Sequence, residues 1–183
     1  MAQIFLVILV SLGAQFARAG ILDLNVAYAN DSVKTATTTT NSLMAYDLAV
    51  GIPIGKRDLY VSFAFGGYTS SFNPGTATTW NGTDMGIKFG GFFGRGKLFT
   101  SSLTYNLKST VKYSDGTNSV ELRGTSLRFD IGVNYWFADN AAVSAKLFYY
   151  SPTLGEEIDA TTLNTVSYAR TTMGQCIGLA WVF

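Results

Sequence analysis

Histidine is absent from the 183 residues of this chain, and cysteine occurs only once. Without an imidazole, the chain cannot build the Ser/His or His/Asp pairs on which many hydrolases depend. The single Cys176 cannot form an internal disulfide, and its small neighbours predict a packed, inert thiol. Glycine-rich phosphate loops, Cys/His metal spacings and heptad repeats are missing as well. We therefore expect no enzymatic activity, no cofactor and no metal site.

Charge is scarce and balanced, since 13 Lys and Arg face 12 Asp and Glu in a chain that is 14% charged. No stretch gathers the cations into a basic stripe, so nucleic-acid binding is not expected. One acidic group, formed by Glu156, Glu157 and Asp159, could gather a calcium ion. A solvated acidic loop is the simpler interpretation of the same residues.

Long apolar runs are missing except near the start of the chain. There the run Ile4 to Val10 leads to Ala17-Arg18-Ala19, an A-x-A cleavage pattern before Gly20. This pattern predicts a cleaved signal peptide over residues 1–19. A transmembrane helix is the alternative, but the run is shorter than the ~20 apolar residues that a span needs. The remaining residues, 20–183, are sufficient for one domain and hold no second run that would span a membrane as a helix.

The mature chain instead alternates between large apolar and small or polar residues, a period of two that is typical of β-strands. The last strand shows it best, because Ile177, Leu179, Trp181 and Phe183 share one face. Eight alternating segments can be drawn: 21–30, 43–54, 59–71, 84–93, 98–113, 119–137, 142–151 and 165–183. The sequence therefore predicts an all-β fold, an eight-stranded antiparallel up-and-down transmembrane β-barrel.

One face of these strands is large and apolar throughout, as a surface in contact with lipid would be. Its aromatic residues beside the short turns are expected to form a girdle at the membrane interface; they are Phe93, Phe99, Phe137, Trp181 and Phe183.

The opposite face carries the polar residues. Four carboxylates (Asp23, Asp47, Asp84 and Asp130) and four cations (Lys88, Arg128, Lys146 and Arg170) lie on it, with Asn25, Tyr60, Asn134 and small residues between them. An eight-stranded barrel is just wide enough for side chains to fill its interior, so we expect these charges to pair there. Two alternatives remain open: a soluble sheet with solvated charges, and a secreted lipocalin-like calyx with the apolar face turned inward.

The connections predict an asymmetric barrel. Short polar turns at 55–58, 94–97 and 138–141 alternate with longer Thr/Ser/Gly/Asn-rich loops near 31–42, 72–83 and 152–164. The pair 98–113 and 119–137 is longer than a bilayer requires, and Asp115-Gly116 is a strong hairpin signal, which together predict a protruding hairpin. The face of the apolar residues changes between Leu122 and Leu127, which predicts a β-bulge beside Gly124.

With these segments in place, the chain resembles the small eight-stranded OmpA/OmpX-type barrels over nearly its whole mature length. The resemblance implies a bacterial outer-membrane location in the cell envelope, in contact with outer-membrane lipid and lipopolysaccharide. It also implies that the barrel assembly machinery reads the closing strand, with Trp181 and Phe183 as the signal. The outer-membrane acyltransferase, deacylase, phospholipase and omptin families use a catalytic His, so their activities cannot be carried over. The peptidoglycan-binding domain of full-length OmpA-type proteins is not expected either.

Two functions follow as hypotheses. The first is a structural or surface-interaction protein whose plugged interior does not conduct, and whose outer parts contact an extracellular protein or host surface. The second is a porin-like narrow pore, or an OmpW-like conduit for small hydrophobic molecules. The balanced interior charges favour the first. A closed barrel needs no neighbour to satisfy its strand edges, so a monomer is expected.

Overall fold

The structure, a computed structural model, describes residues 20–34, 38–54, 58–73, 78–114, 119–159, 162–169 and 171–183. The predicted signal peptide over 1–19, the Asp115-Gly116 turn and Arg170 lie outside these residues. Within the described part of the chain, no helix is long and apolar enough to cross a membrane.

Nine strands and one short 3-10 turn make up the described chain. The strands are β1 (Ile21–Lys34), β2 (Thr38–Pro53), β3 (Leu59–Asn73), β4 (Thr78–Phe93), β5 (Phe99–Ser114), β6 (Ser119–Ala138), β7 (Ala141–Asp159), β8 (Thr162–Ala169) and β9 (Thr172–Val182). Every pairing is antiparallel. From β1 to β8, each strand pairs with the next one along the chain. Because β8 and β9 both run along β7, one beyond the other, they occupy a single position, the eighth of the barrel.

The sheet closes on itself where β1 pairs with β9, over the register Ile21↔Val182 to Tyr28↔Gln175. Backbone hydrogen bonds continue this seam to the short-turn end, because the Phe183 amide donates to the Gly20 carbonyl at 2.9 Å. With β9 paired to β7 on its other side, the ring is complete. The predicted eight-stranded up-and-down barrel is confirmed.

The apolar face of the strands points outward. Large apolar side chains on the outer face of every strand position are 38–73% exposed, among them Leu24, Val50, Phe63, Ile87, Leu103, Ile131, Leu147 and Leu179. The polar face is buried, and Asn25 and Lys88 are 0% exposed. The alternatives of a soluble sheet and an inward-facing calyx are therefore wrong, since both require the reverse arrangement. This belt of exposed apolar side chains suits hydrocarbon rather than water.

Most residues of the long loops expected at 31–42, 72–83 and 152–164 lie in strands, and residues 35–37, 74–77 and 160–161 of these ranges are outside the described part of the chain. β1 extends to Lys34, and β2 begins at Thr38. β7 extends to Asp159, through most of the range 152–164. The prediction failed because these Thr/Ser/Asn-rich stretches lack hydrophobic alternation, although their backbone can still pair strand to strand. The extension is also shared: β6 has 20 residues and β7 has 19, so more than one hairpin projects beyond the length of a bilayer span.

The predicted bulge beside Gly124 lies in the neighbouring strands instead. In β5 an extra residue near Leu107 shifts the register against both β4 and β6, and in β7 an extra residue at Gly155 shifts it against β6. Along β6, the even-numbered residues Leu122 and Arg128 are both buried. The side of β6 that faces the interior therefore stays the same along the strand. What changes is the inward side chain, from charged at Arg128 to apolar at Leu122.

Candidate functional site in the barrel interior

The middle of the interior is built around Lys88, which is fully buried on β4. Its Nζ lies 2.8 Å from Oδ2 of Asp23 on β1 and 2.8 Å from Oδ2 of Asp47 on β2. Neither β1 nor β2 neighbours β4 in the sheet. These two contacts therefore cross the lumen, and a single ammonium group joins β4 to two strands with which it shares no backbone hydrogen bonds.

The row continues on both sides of Lys88. Arg128 on β6 lies 3.4 Å from Oδ1 of Asp47, and its Nε and NH2 groups donate to the Asp130 carboxylate at 3.0 and 2.8 Å. On the other side, Nζ of Lys146 on β7 lies 3.3 Å from Oδ1 of Asp23 and donates to Asn25 Oδ1 at 2.7 Å. Cations and carboxylates thus alternate across the lumen. We call this set the interior charge row: Lys146, Asp23, Lys88, Asp47, Arg128 and Asp130.

The interior charge row is electrically neutral, with three cations and three carboxylates. This balance matters because an unpaired buried charge costs several kcal/mol, whereas a paired and hydrogen-bonded one does not. Six of the eight charged residues singled out from the sequence are therefore brought together by the structure.

Asp84 has a different partner. Its Oδ2 accepts a hydrogen bond of 2.8 Å from the Tyr150 hydroxyl, and no ion pair joins it to another described residue. Tyr150 in turn packs edge to face against Tyr68, with ring centroids 5.4 Å apart. The predicted fourth cation, Arg170, is outside the described part of the chain. Asp84 therefore forms a separate polar site at the far side of the interior charge row.

Two apolar layers enclose the charged middle, and the sequence did not reveal either. At the far end, where the strands extend beyond the belt, buried side chains pack across the lumen; they include Leu43, Tyr68, Val111, Leu122, Phe148, Tyr150 and Leu154. At the short-turn end, a smaller layer consists of Ile21, Tyr60, Phe92 and Ala180, with Trp136 and Val182 against it. Large residues at inward positions could have revealed these layers. The alternation already assigns Phe92, Phe148 and Tyr150 to the interior.

The short-turn end is further closed by the turn at residues 94–97. The Lys97 carbonyl accepts hydrogen bonds of 3.0 Å from both Asn134 Nδ2 and Trp136 Nε1. The Lys97 ammonium lies 5.4 Å from the Trp136 ring and pairs with Asp58 at 2.9 Å. Gly94 and Gly96 adopt positive φ angles of 80° and 67°, which glycine accepts without strain. The turn is thus held against β6 at the short-turn rim of the barrel.

Little space remains inside. A cavity of about 30 Å³ lies beside Asp84, Arg128 and Tyr150, and another of about 20 Å³ lies beyond Tyr150 toward Pro152. Each can hold one to a few water molecules, because a cavity needs only about 10–15 Å³ of such space to hold one. Among the described residues, no cluster of His, Cys, Asp or Glu could hold a metal ion.

The aromatic residues expected at the short-turn interface all lie on the outside of the barrel. Phe93, Phe99, Phe137, Trp181 and Phe183 are 44–56% exposed. A second aromatic group, which the sequence analysis did not single out, lies near the far edge of the belt and contains Tyr28, Tyr46 and Tyr105. Two aromatic levels on an apolar wall are typical of the two interfaces of a membrane.

No family model and no curated protein matches this chain. Among solved structures, Neisserial surface protein A is similar over 90% of this chain and 97% of its own, with 16% identity and a TM-score of 0.57. The N-terminal β-barrel domain of OprF from Pseudomonas aeruginosa covers 89% of this chain and 97% of its own at 10% identity, with a TM-score of 0.49. At this level of identity, the similarity to Neisserial surface protein A shows the fold alone. The chain thus has the architecture that its sequence predicts, that of the small eight-stranded outer-membrane β-barrels of the OmpA/OmpX type.

Proposed function

We propose that this protein is an integral barrel of the bacterial outer membrane whose lumen is closed, and that its role is structural or one of surface interaction. The interior charge row carries the proposal. Lys88 joins Asp23 and Asp47 across the lumen, and each charge of the neutral row has a partner of opposite sign within 3.4 Å. The two apolar layers and the water-sized cavities support the same conclusion.

The outer surface supports an interaction role. A tilted strand needs only about 9–11 residues to span a bilayer, whereas β6 has 20 and β7 has 19. Beyond the apolar belt their outward residues turn polar, as at Arg123 and Thr153. With the short turns placed in the periplasm, this extended end projects from the cell and offers a surface for an extracellular protein or host molecule.

The remaining partner proposals follow from the belt and the closing strand. The belt contacts outer-membrane lipid and lipopolysaccharide, and β9, with Trp181 and Phe183 outward, presents the signal that the barrel assembly machinery reads. The ring of paired strands leaves no edge in the belt that needs a second copy, so the barrel is a monomer. No described side chain cluster suggests catalysis, and the proposed role is not enzymatic.

Conductance tests the closed lumen. The mature protein, refolded and shown to be heat-modifiable on a gel, should give no discrete openings in a planar bilayer. Arg128→Ala should either open a measurable leak or lower the unfolding midpoint, because it leaves Asp47 and Asp130 with fewer partners. Lys112→Ala, on an exposed outward position, is the matched control and should change neither. Steady openings of the wild-type barrel would contradict a closed lumen.

Transport remains the second candidate, on the strength of the cavity beside Asp84. This cavity is too small for a hydrophobic molecule, so transport would require the Tyr68–Tyr150 pair to separate. A deletion strain with altered sensitivity to small hydrophobic compounds, restored by the wild type, would favour transport over a purely structural role.

A further inference from the structure

The outer wall of the barrel is interrupted by a groove of about 670 Å³. Its floor is Ala145 on β7, a small residue between large ones. Its sides are Phe99, Val133, Leu147 and Ile177, from β5, β6, β7 and β9. We call this the Ala145 groove. The register explains its shape: Phe99 pairs with Val133, Val133 with Ala145, and Ala145 with Ile177, so one rung of the wall has a gap in its middle.

A polar side chain borders this groove. Gln175 on β9 is exposed on the apolar wall, next to Leu147 in the register. None of the hydrogen bonds among the described residues reaches its amide. Its other neighbour in the register is Tyr28, which belongs to the tyrosine level near the far edge of the belt. The amide therefore lies where hydrocarbon gives way to the polar part of a lipid.

We propose that the Ala145 groove is a binding site for one acyl chain of a membrane lipid, with the Gln175 amide bonded to the carbonyl or hydroxyl group at the polar end of that chain. This inference rests on the outer-membrane location proposed above. Within a membrane, all of the wall is covered by apolar lipid, so preference for one position has to come from close packing and from hydrogen bonds. The groove supplies the first and Gln175 supplies the second.

The chemistry of the site limits what can occupy it. The groove is lined by apolar side chains, so its occupant is a hydrocarbon chain and not a headgroup. An amide offers both a donor and an acceptor, so it suits an ester, an amide or a hydroxyl near the start of an acyl chain. An unpartnered amide facing hydrocarbon is costly, and binding such a group removes that cost.

Native mass spectrometry can test the site. The purified mature barrel is titrated in a mild detergent with a saturated phosphatidylethanolamine, and the population with one bound lipid is measured. Ala145→Leu fills the groove and should weaken binding about tenfold, equivalent to losing the packing of roughly two methylene groups. Gln175→Leu removes the hydrogen bond, retains the apolar wall, and should also weaken binding. Val61→Leu, on β3 across the barrel, is the matched control and should bind as the wild type does.

Three results would overturn the proposal. The first is a wild type that holds no lipid beyond the level of detergent exchange, and the second is an Ala145→Leu variant that binds like the wild type. The third is a wild-type dimer that Ala145→Leu separates, because the occupant would then be a second copy of the chain. A heat-modifiable gel shift of each variant shows separately that the barrel has folded. Loss of lipid binding with the shift retained therefore concerns the groove alone and leaves the proposed function intact.

Discussion

The Nζ atom of Lys88 lies 2.8 Å from Oδ2 of Asp47, although the two residues are 41 positions apart and their strands are not neighbours in the sheet. The contact spans the lumen and places a charged pair at its centre. Both side chains are nearly inaccessible, at 0% and 8%. A pair in this setting is expensive to break, because removing one partner leaves the other as an uncompensated buried charge.

Lys88→Met should destabilise the barrel by about 3–5 kcal/mol, because both Asp23 and Asp47 lose their shortest ion pair. Urea unfolding in lipid vesicles, followed by the gel shift of the folded barrel, measures the change. Lys112→Met removes the same charge from an exposed position and should shift the midpoint little. Equal midpoints for the two variants would mean that the interior charge row contributes nothing to stability.

Asp47→Asn and Asp84→Asn should differ in cost. Asp47 bridges Lys88 and Arg128, so its neutralisation should cost about 3–5 kcal/mol. Asp84 has no ion pair among the described residues, and asparagine keeps an acceptor for the Tyr150 hydroxyl, so its neutralisation should cost less than about 1 kcal/mol. Tyr150→Phe removes the donor and leaves the buried Asp84 carboxylate without this hydrogen bond, so it should cost more than Asp84→Asn. An equal loss at Asp47 and Asp84 would show instead that Asp84 also has a cation partner.

Leu122→Ala and Leu127→Ala make the same chemical change five positions apart on β6. Leu122 is 7% exposed in the far apolar layer, so its truncation leaves a cavity and should cost about 2–5 kcal/mol. Leu127 is 38% exposed on the belt, where lipid can fill the space, so its truncation should cost less. Vesicle unfolding midpoints compare the two, and a larger effect at Leu127 would refute the inward facing of Leu122.

Gly86→Ala should impair folding. A Cβ at Gly86 would overlap the backbone of β5 at the carbonyl oxygen of Tyr105 and the Cα of Asn106. The pairing of β4 with β5 would have to shift next to the existing bulge, which leaves that part of the ladder little freedom. Refolding yield is the measurement. Gly96→Asn serves as the control, since nothing lies within 4 Å of its Cβ position and asparagine tolerates the positive φ there. Equal yields would contradict the close approach of the two strands at Gly86.

Much of the fold was accessible from the sequence because facing is a local property. Successive side chains of a strand point to opposite faces, so the alternation around Asp23 or Leu24 assigns each residue to the interior or the wall. The ends of the strands at the short turns were predicted within two residues for the same reason, since the pattern stops there. At the far end the prediction failed, because the polar stretches of β1, β2 and β7 lack hydrophobic alternation. Backbone pairing by itself leaves no signal in side-chain hydrophobicity.

The sequence by itself determined that eight strands form a barrel with an apolar wall, and that acids and bases meet inside. Only the tertiary structure decided which acid meets which base. Asp47 contacts Lys88 and Arg128, whereas Asp84 contacts Tyr150, because distances across the lumen depend on the stagger between strands around the ring. The same stagger, together with the bulges in β5 and β7, places Leu122 and Leu154 in one buried layer. The alternation along one strand does not predict that stagger, because the stagger is fixed only when the whole sheet closes.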